Sequence, residues 1–174
     1  MTLWMACRRG KLHSTPKKSA GDLQIEYSLI SRGPEARILP VLAELAIGVT
    51  AYGVLSRGLL SGSMPASQGD LRARLPRFTA ENRARNQSLI DALNTLAQEK
   101  GASASQLAIA WVLAKGTTVV PLIGARTRAQ LAESLGALRL VLTAEDVRRI
   151  EDTLPPAAGT RYDEHQMRIL DSER

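Results

Sequence analysis

A ligand that carries phosphate needs backbone N–H groups, a cation and a glycine that lets it approach. Two segments of the 174-residue chain offer that combination. Ile123-Gly124-Ala125-Arg126-Thr127 leads from an apolar run into a helix that Thr127 and Gln130 can cap. Free N–H groups and the positive end of a helix dipole then stand beside Arg126, which suits a phosphate dianion, with Arg128 either assisting it or solvated, although by pattern alone this helix surface is polar and ordinary. Gly53-Val54-Leu55-Ser56-Arg57-Gly58 can bring its backbone up to a pyrophosphate, with Arg57 as the counter-charge. It is not the dinucleotide fingerprint, because no G-x-G-x-x-G stands between strand and helix, and glycines in a loop most often mark turns. Tyr52 closes the preceding β-branched and aromatic run, where a ring-stacking residue and an ordinary core tyrosine fit equally. Gln24 offers both a donor and an acceptor, although by pattern alone it is a polar residue on a half-exposed strand.

Strands must deliver these segments to a common place. Leu23 to Leu29 alternates apolar and polar residues, which predicts a strand, and Ser31-Arg32-Gly33-Pro34 reads as a turn. Ile38, Leu39, Leu42 and Leu45 predict a helix that begins near Pro40, or is kinked there, and ends at Gly48. Val49 to Tyr52 is a second strand, followed by a loop over 53–78 rich in glycine and proline. Thr79 caps a helix with Leu89, Ile90, Leu93 and Leu96 on one face, closed by Gly101. Ser103 and Gln106 form a capping box for a helix through Leu107, Ala110, Trp111 and Ala114, stopped by Gly116. Thr117 to Ile123 is apolar on both faces, as a buried parallel strand should be. The helix capped by Thr127 presents Leu131, Leu135 and Leu138 inward, and a last helix runs from Thr143 to Pro155. Strands alternating with helices mean parallel βα units, an α/β fold.

Three stretches carry more than this pattern. They are Leu23-Gln24-Ile25-Glu26-Tyr27-Ser28, the run from Val49 through Tyr52-Gly53-Val54-Leu55-Ser56-Arg57-Gly58 to Gly62, and the run from Gly124 through Arg126-Thr127 to Gln130-Leu131-Ala132-Glu133-Ser134. In order and spacing they resemble the carboxy-terminal half of an aldo/keto reductase, a (β/α)8 TIM barrel that binds NADP(H) and reduces carbonyls. The resemblance runs from about Asp22 to about Leu154 and implies a partial barrel of the carboxy-terminal three βα units, with parallel strands plus extra helices. It implies that Gln24 is the strand-end glutamine that bonds the nicotinamide carboxamide, and that Tyr52 stacks on the nicotinamide ring. Gly53, Leu55 and Arg57 would follow the pyrophosphate, and Gly124 and Arg126 would meet the adenosine 2′-phosphate. Gln130 and Glu133 would reach the adenine end, where Ser134 replaces the family's usual asparagine, a departure expected to weaken adenine recognition.

The same resemblance implies an Asp, Tyr, Lys, His tetrad, which nothing upstream of Asp22 matches. No catalytic residue is therefore assigned; His13 lies in the basic start and His165 in the polar end. Arg8, Arg9, Lys11, Lys17 and Lys18 supply most of the net charge of +6, so residues 1–21 read as a basic tail on a nearly neutral body, 22–154. Without an aromatic platform or reading motif that charge does not indicate nucleic-acid binding. Residues 155–174 read as a polar, irregular tail. No apolar run is long enough for a membrane span, and the single Cys7 excludes a disulfide framework and a cysteine-based zinc site, so no metal is expected and a cytoplasmic setting is the default. The expectation is an oxidoreductase of the aldo/keto reductase type in its NADP(H)-binding half, with a small-molecule carbonyl as substrate if the missing half is supplied. The alternatives are a non-catalytic truncated product and an NADP(H)-binding or interaction module. Three strands of a barrel leave open sheet edges, so poor solubility or self-association of the isolated chain is also expected.

Overall fold

The computed structural model describes residues 21–67 and 69–170. Strands β1 (Asp22–Glu26), β2 (Gly48–Tyr52) and β3 (Val119–Pro121) form a parallel sheet in that order. Helix α1 (Ile38–Glu44) crosses from β1 to β2, while α2 (Ala80–Glu99) and α3 (Ala104–Ala114) cross from β2 to β3. Helices α4 (Arg128–Gly136), α5 (Ala144–Thr153) and α6 (Glu164–Arg168) follow. The register sets Asp22 against Gly48, Glu26 against Tyr52, and Ala51 against Pro121. All three strands therefore end along one edge, and the Leu122 N–H extends that edge by donating to the Ala51 carbonyl at 2.7 Å.

Alternation sends Val49, Ala51 and Val119 into the apolar core. Helix α3 lies deepest in that core, because Leu107, Ala108, Ile109, Ala110, Trp111 and Val112 leave it no polar face. Its capping box forms as expected, and so does that at Thr127; Thr143 caps α5 in a further box, closed by Asp146, that was not expected. The opposite face of the sheet carries Asp22, Gln24, Glu26, Thr50 and Tyr52. The Thr50 hydroxyl donates to the Asp22 carboxylate there. Among the described residues no helix is long and apolar enough to cross a membrane.

Several local expectations are corrected. β1 stops at Glu26 because the chain folds back through reciprocal backbone bonds between Ser28 and Ser31, taking Tyr27 and Leu29 into the core. α1 ends at Leu45, with the left-handed position filled by Ala46 (φ 53°). Gly48 instead opens β2, where a Cβ would come within 2.9 Å of an Asp22 carboxylate oxygen. Thr79 stands at the start of α2, but its hydroxyl donates to the Pro76 carbonyl rather than capping the helix. The loop after β2 holds short 3₁₀ turns at Ser56–Ser61, Leu71–Arg74 and Pro76–Phe78. Leu131 and Leu138 line a cavity with Ile109 and Leu113 of α3, but on α4 Leu135 is exposed while Ser134 and Gly136 are buried. The reason is close approach: a Cβ on Gly136 would fall 2.2 Å from the Gln106 amide nitrogen.

Behind the sheet, a charged cluster joins the turn after β1 to α3 and α5. The Tyr27 hydroxyl and the Arg32 guanidinium donate to Glu35, and Arg32 also pairs with Glu151 at 2.7 Å. Lys115 pairs with both carboxylates, and the Trp111 indole N–H donates to Glu151 at 3.0 Å. Burial pushes the Glu35 carboxyl up, but hydrogen bonds from Arg32, Tyr27 and Lys115 outweigh it and hold the group below its ordinary value of 4.5. A depressed acid stabilises the fold fully above its unfolded value and loses that contribution as pH falls through the folded one. Stability should therefore fall on acidification below about pH 4.5, and Glu35→Gln should flatten that part of the profile in urea titrations. An unchanged acid limb in the variant would contradict this role.

Candidate functional site

The edge where β1, β2 and β3 end gathers most of the residues singled out from the sequence. Tyr52 is the last residue of β2 and is half-buried; burial, then the nearby Glu26 charge, pushes its hydroxyl pKa up. Gln24 shares its face but lies two residues before the strand end, exposed and opposite Thr50. The end position itself belongs to Glu26.

Beyond Tyr52 the backbone turns through positive φ at Gly53 (68°), Ser56 (47°), Arg57 (57°) and Gly58 (93°). At Gly53 the turn needs glycine twice over, since a Cβ would also sit 2.9 Å from the Glu26 Cγ. Within this turn the Ser56 N–H donates to the Gly53 carbonyl, and the Gly58 and Leu60 N–H groups donate to that of Leu55. The Arg57 carbonyl accepts from Arg72 Nη1 at 3.0 Å, and Arg72 also binds the Met64 carbonyl and Asp70, drawing the loop together. Hydrogen bonds from Arg72 hold the Asp70 carboxyl at about 2. The Arg57 side chain is exposed and lies over the Tyr162 ring, 4.9 Å from its centre.

Beneath this turn is a buried polar system that the sequence reading missed. Glu26 is 5% exposed, accepts from the Ser31 hydroxyl at 3.0 Å and pairs with Arg161 at 3.0 Å. Arg77, also buried, donates to the Ser56 and Ser31 hydroxyls and to the Ile30 carbonyl. Asn86 is fully buried; its amide bridges the carbonyls of Arg77 and Ala158 and accepts the Ala158 N–H at 2.8 Å. The segment expected to be an irregular polar tail is thus packed onto the site as far as α6, with Arg161 4% exposed. His165 is exposed, as expected of a solvated residue. A cavity of about 120 Å³ remains between Glu26, Tyr52, Gly53, Arg57, Arg77 and Arg161. Glu26 carried a sequence signal, an acid inside an alternating strand. Arg161 carried none, because a buried arginine and a solvated one look alike in a polar segment.

At the end of β3, Gly124 and Arg126 are exposed, and open space lies where a Gly124 side chain would project. The Gln130 amide oxygen accepts the N–H groups of Arg126 (2.8 Å) and Thr127 (3.3 Å), so part of the α4 terminus is closed by its own capping box. Glu133 accepts the Ser103 hydroxyl, tying α4 to the α3 cap, while the Ser134 hydroxyl donates back to the Gln130 carbonyl at 2.9 Å. Leu55 is half-buried at the start of the 3₁₀ turn.

A family model described as the aldo/keto reductase family matches residues 6–155. The chain belongs to the aldo/keto reductase family. The match starts ahead of the Asp22 boundary expected from the sequence. A probable aldo-keto reductase 1 from Glycine max is 38% identical over 147 residues, which are 80% of this chain and 42% of that protein. The chain thus spans less than half the length of this curated relative. Among solved aldo/keto reductases, the glycerol dehydrogenase AKR11B4 from Gluconobacter oxydans superposes with a TM-score of 0.71 at 31% identity, covering 82% of this chain and 45% of that one. One from Klebsiella pneumoniae in complex with NADPH gives 0.53 at 26% identity, covering 80% and 42%. Another from Klebsiella pneumoniae, in complex with NADP and acetate, gives 0.54 at 25% identity, covering 82% and 43%. These neighbours support the α/β architecture with its parallel sheet.

Removing the partner of a buried charge costs about 3–5 kcal/mol. Arg161→Ala should therefore destabilise this aldo/keto reductase chain by that amount in urea unfolding, and adding Glu26→Gln should recover much of it. A loss below about 1 kcal/mol, the level of a solvated pair, would show that Glu26 does not depend on Arg161.

Proposed function

We propose that this chain forms the cofactor-holding part of an NADP(H)-dependent aldo/keto reductase, an oxidoreductase acting on aldehydes or ketones. One observation carries the reading. The two segments that combine glycine with arginine, 53–58 and 124–127, leave from adjacent parallel strands at the same edge of the sheet. A ligand with two separated phosphate groups needs such a pair of cations, and ligands of βα barrels sit at this carboxy-terminal end. The Klebsiella pneumoniae neighbours in complex with NADPH or NADP support the choice of ligand.

The residues present fit that group. Gly124 leaves room for close approach, Arg126 stands in solvent, and Tyr52 is only half-buried and lines the cavity at the strand ends. When bound, NADPH supplies the hydride. Tyr52 would fix which face of the nicotinamide is presented, and Gln24, on the same face of the sheet, can both donate to and accept from its carboxamide. Gly53, Leu55 and Arg57 would hold the pyrophosphate. Arg126 would hold the 2′-phosphate that distinguishes NADP(H) from NAD(H). Toward adenine, Gln130 retains its amide NH2 and Glu133 its second carboxylate oxygen, whereas Ser134 has turned its hydroxyl into α4.

The acid that protonates the carbonyl oxygen is not assigned to any residue of this chain, and we propose that the chain alone does not turn over carbonyl substrates. A cytoplasmic setting and self-association through the outer edges of β1 and β3 complete the proposal, and a binding module without turnover is the alternative.

Titration of the chain with NADPH, followed by nicotinamide fluorescence, tests the reading. Arg126→Ala should weaken NADPH about ten- to a hundred-fold, as loss of a charge-assisted contact does, and leave NADH nearly unchanged. Tyr52→Ala should weaken both. Equal losses for NADH and NADPH in Arg126→Ala, or no binding by the parent chain, would contradict the assignment.

A further inference from the structure

Arg57 is an unusual residue on which to hang a cofactor contact. Its backbone adopts a left-handed conformation (φ 57°, ψ 29°) that a side chain disfavours, and its guanidinium stands in solvent. Left to itself such an arginine would sample many rotamers, and ordering it on binding would cost affinity.

Two sets of contacts limit that freedom, one on the Arg57 backbone and one on its guanidinium. Arg72 holds the Arg57 carbonyl from below. From the other side comes Tyr162, with Arg57 and Arg161 both over its ring at 4.9 and 5.4 Å. Tyr162 is itself placed with little freedom. Arg161 is locked to the buried Glu26, the Ala158 backbone is gripped by Asn86, and the Tyr162 carbonyl accepts the Thr160 hydroxyl at 2.7 Å. Gly159 (φ 83°) lets the segment press down where a Cβ would fall 2.8 Å from the Pro76 carbonyl.

We propose that Tyr162 is a positioning residue: its ring holds the Arg57 guanidinium at the end of β2 in the place where it meets the cofactor's pyrophosphate. The carboxy-terminal segment therefore tunes cofactor affinity without touching the cofactor, and this inference rests on the NADP(H) reading. Because pyrophosphate is common to both dinucleotides, Tyr162 affects NADPH and NADH alike, unlike Arg126.

The test uses the 174-residue chain and its Tyr162→Ala and Tyr162→Phe variants, with NADPH and NADH affinities from fluorescence titration. Tyr162→Ala should weaken both about three- to ten-fold, the range of a single cation–π contact. Tyr162→Phe, which keeps the ring, should restore parent affinity. In an Arg57→Ala background, Tyr162→Ala should have no further effect. Parent-like binding by Tyr162→Ala, failure of phenylalanine to rescue, or an undiminished loss without Arg57 would each overturn the proposal. If the parent chain binds neither nucleotide, the cofactor reading fails, and amide exchange over residues 57–62 decides the positioning role. Faster exchange in Tyr162→Ala than in Tyr162→Phe supports it, and equal exchange overturns it.

Discussion

A carboxylate removed from water must find a cation, and the arrangement at the end of this sheet follows from how Glu26 finds one. Its partner, Arg161, comes from beyond α5, so the ion pair draws the carboxy-terminal segment across the strand ends. The same carboxylate side chain occupies the space that a Cβ at residue 53 would need, which makes glycine obligatory there and fixes the turn out of β2. Ser31, bonded to both Glu26 and Arg77, ties in the turn after β1 and the loop after β2. One buried charge thus couples three distant parts of the chain, at a desolvation cost that good geometry must offset.

That coupling supports a loop the backbone would not choose unaided. Ser56 and Arg57 in left-handed conformations cost about 1–2 kcal/mol each, and such strain persists only where surrounding contacts over-determine it. Arg72 beneath the turn, Arg77 on the Ser56 hydroxyl and Tyr162 against the Arg57 guanidinium are those contacts. The end of β3 is built differently. There a capping box holds the helix terminus, and the Arg126 side chain is left in solvent. The proposed pyrophosphate contact is thus held in advance, while the contact that would distinguish phosphorylated from unphosphorylated dinucleotide remains adaptable.

The parallel strands and their order were legible because alternation and apolar runs report burial directly, and the capping boxes at Ser103 and Thr127 because they are local chemistry. Strand and helix ends were less so. Gly48 read as a helix stop although its role is close approach to Asp22, and the tight bridge at Ser28 and Ser31 cut β1 short of Leu29. The family was carried by three spaced segments, and with it the candidate residues at the strand ends. Their support was not legible. Arg77, Asn86 and Arg161 are buried polar residues whose partners lie far away in sequence, and no periodicity encodes such pairing. Leu135, apolar yet exposed on α4, shows the converse, since the buried positions beside it are the small residues Ser134 and Gly136, the latter close against α3.

If the ends of β2 and β3 form the one dinucleotide site proposed above, a single binding event perturbs both. Amide chemical-shift mapping of the isotope-labelled chain during NADP⁺ titration tests it most directly. Residues 53–58 and 124–127 should shift together along a single saturable curve. Shifts confined to one segment, separate affinities for the two, or responses only among the basic residues 1–20 would contradict it.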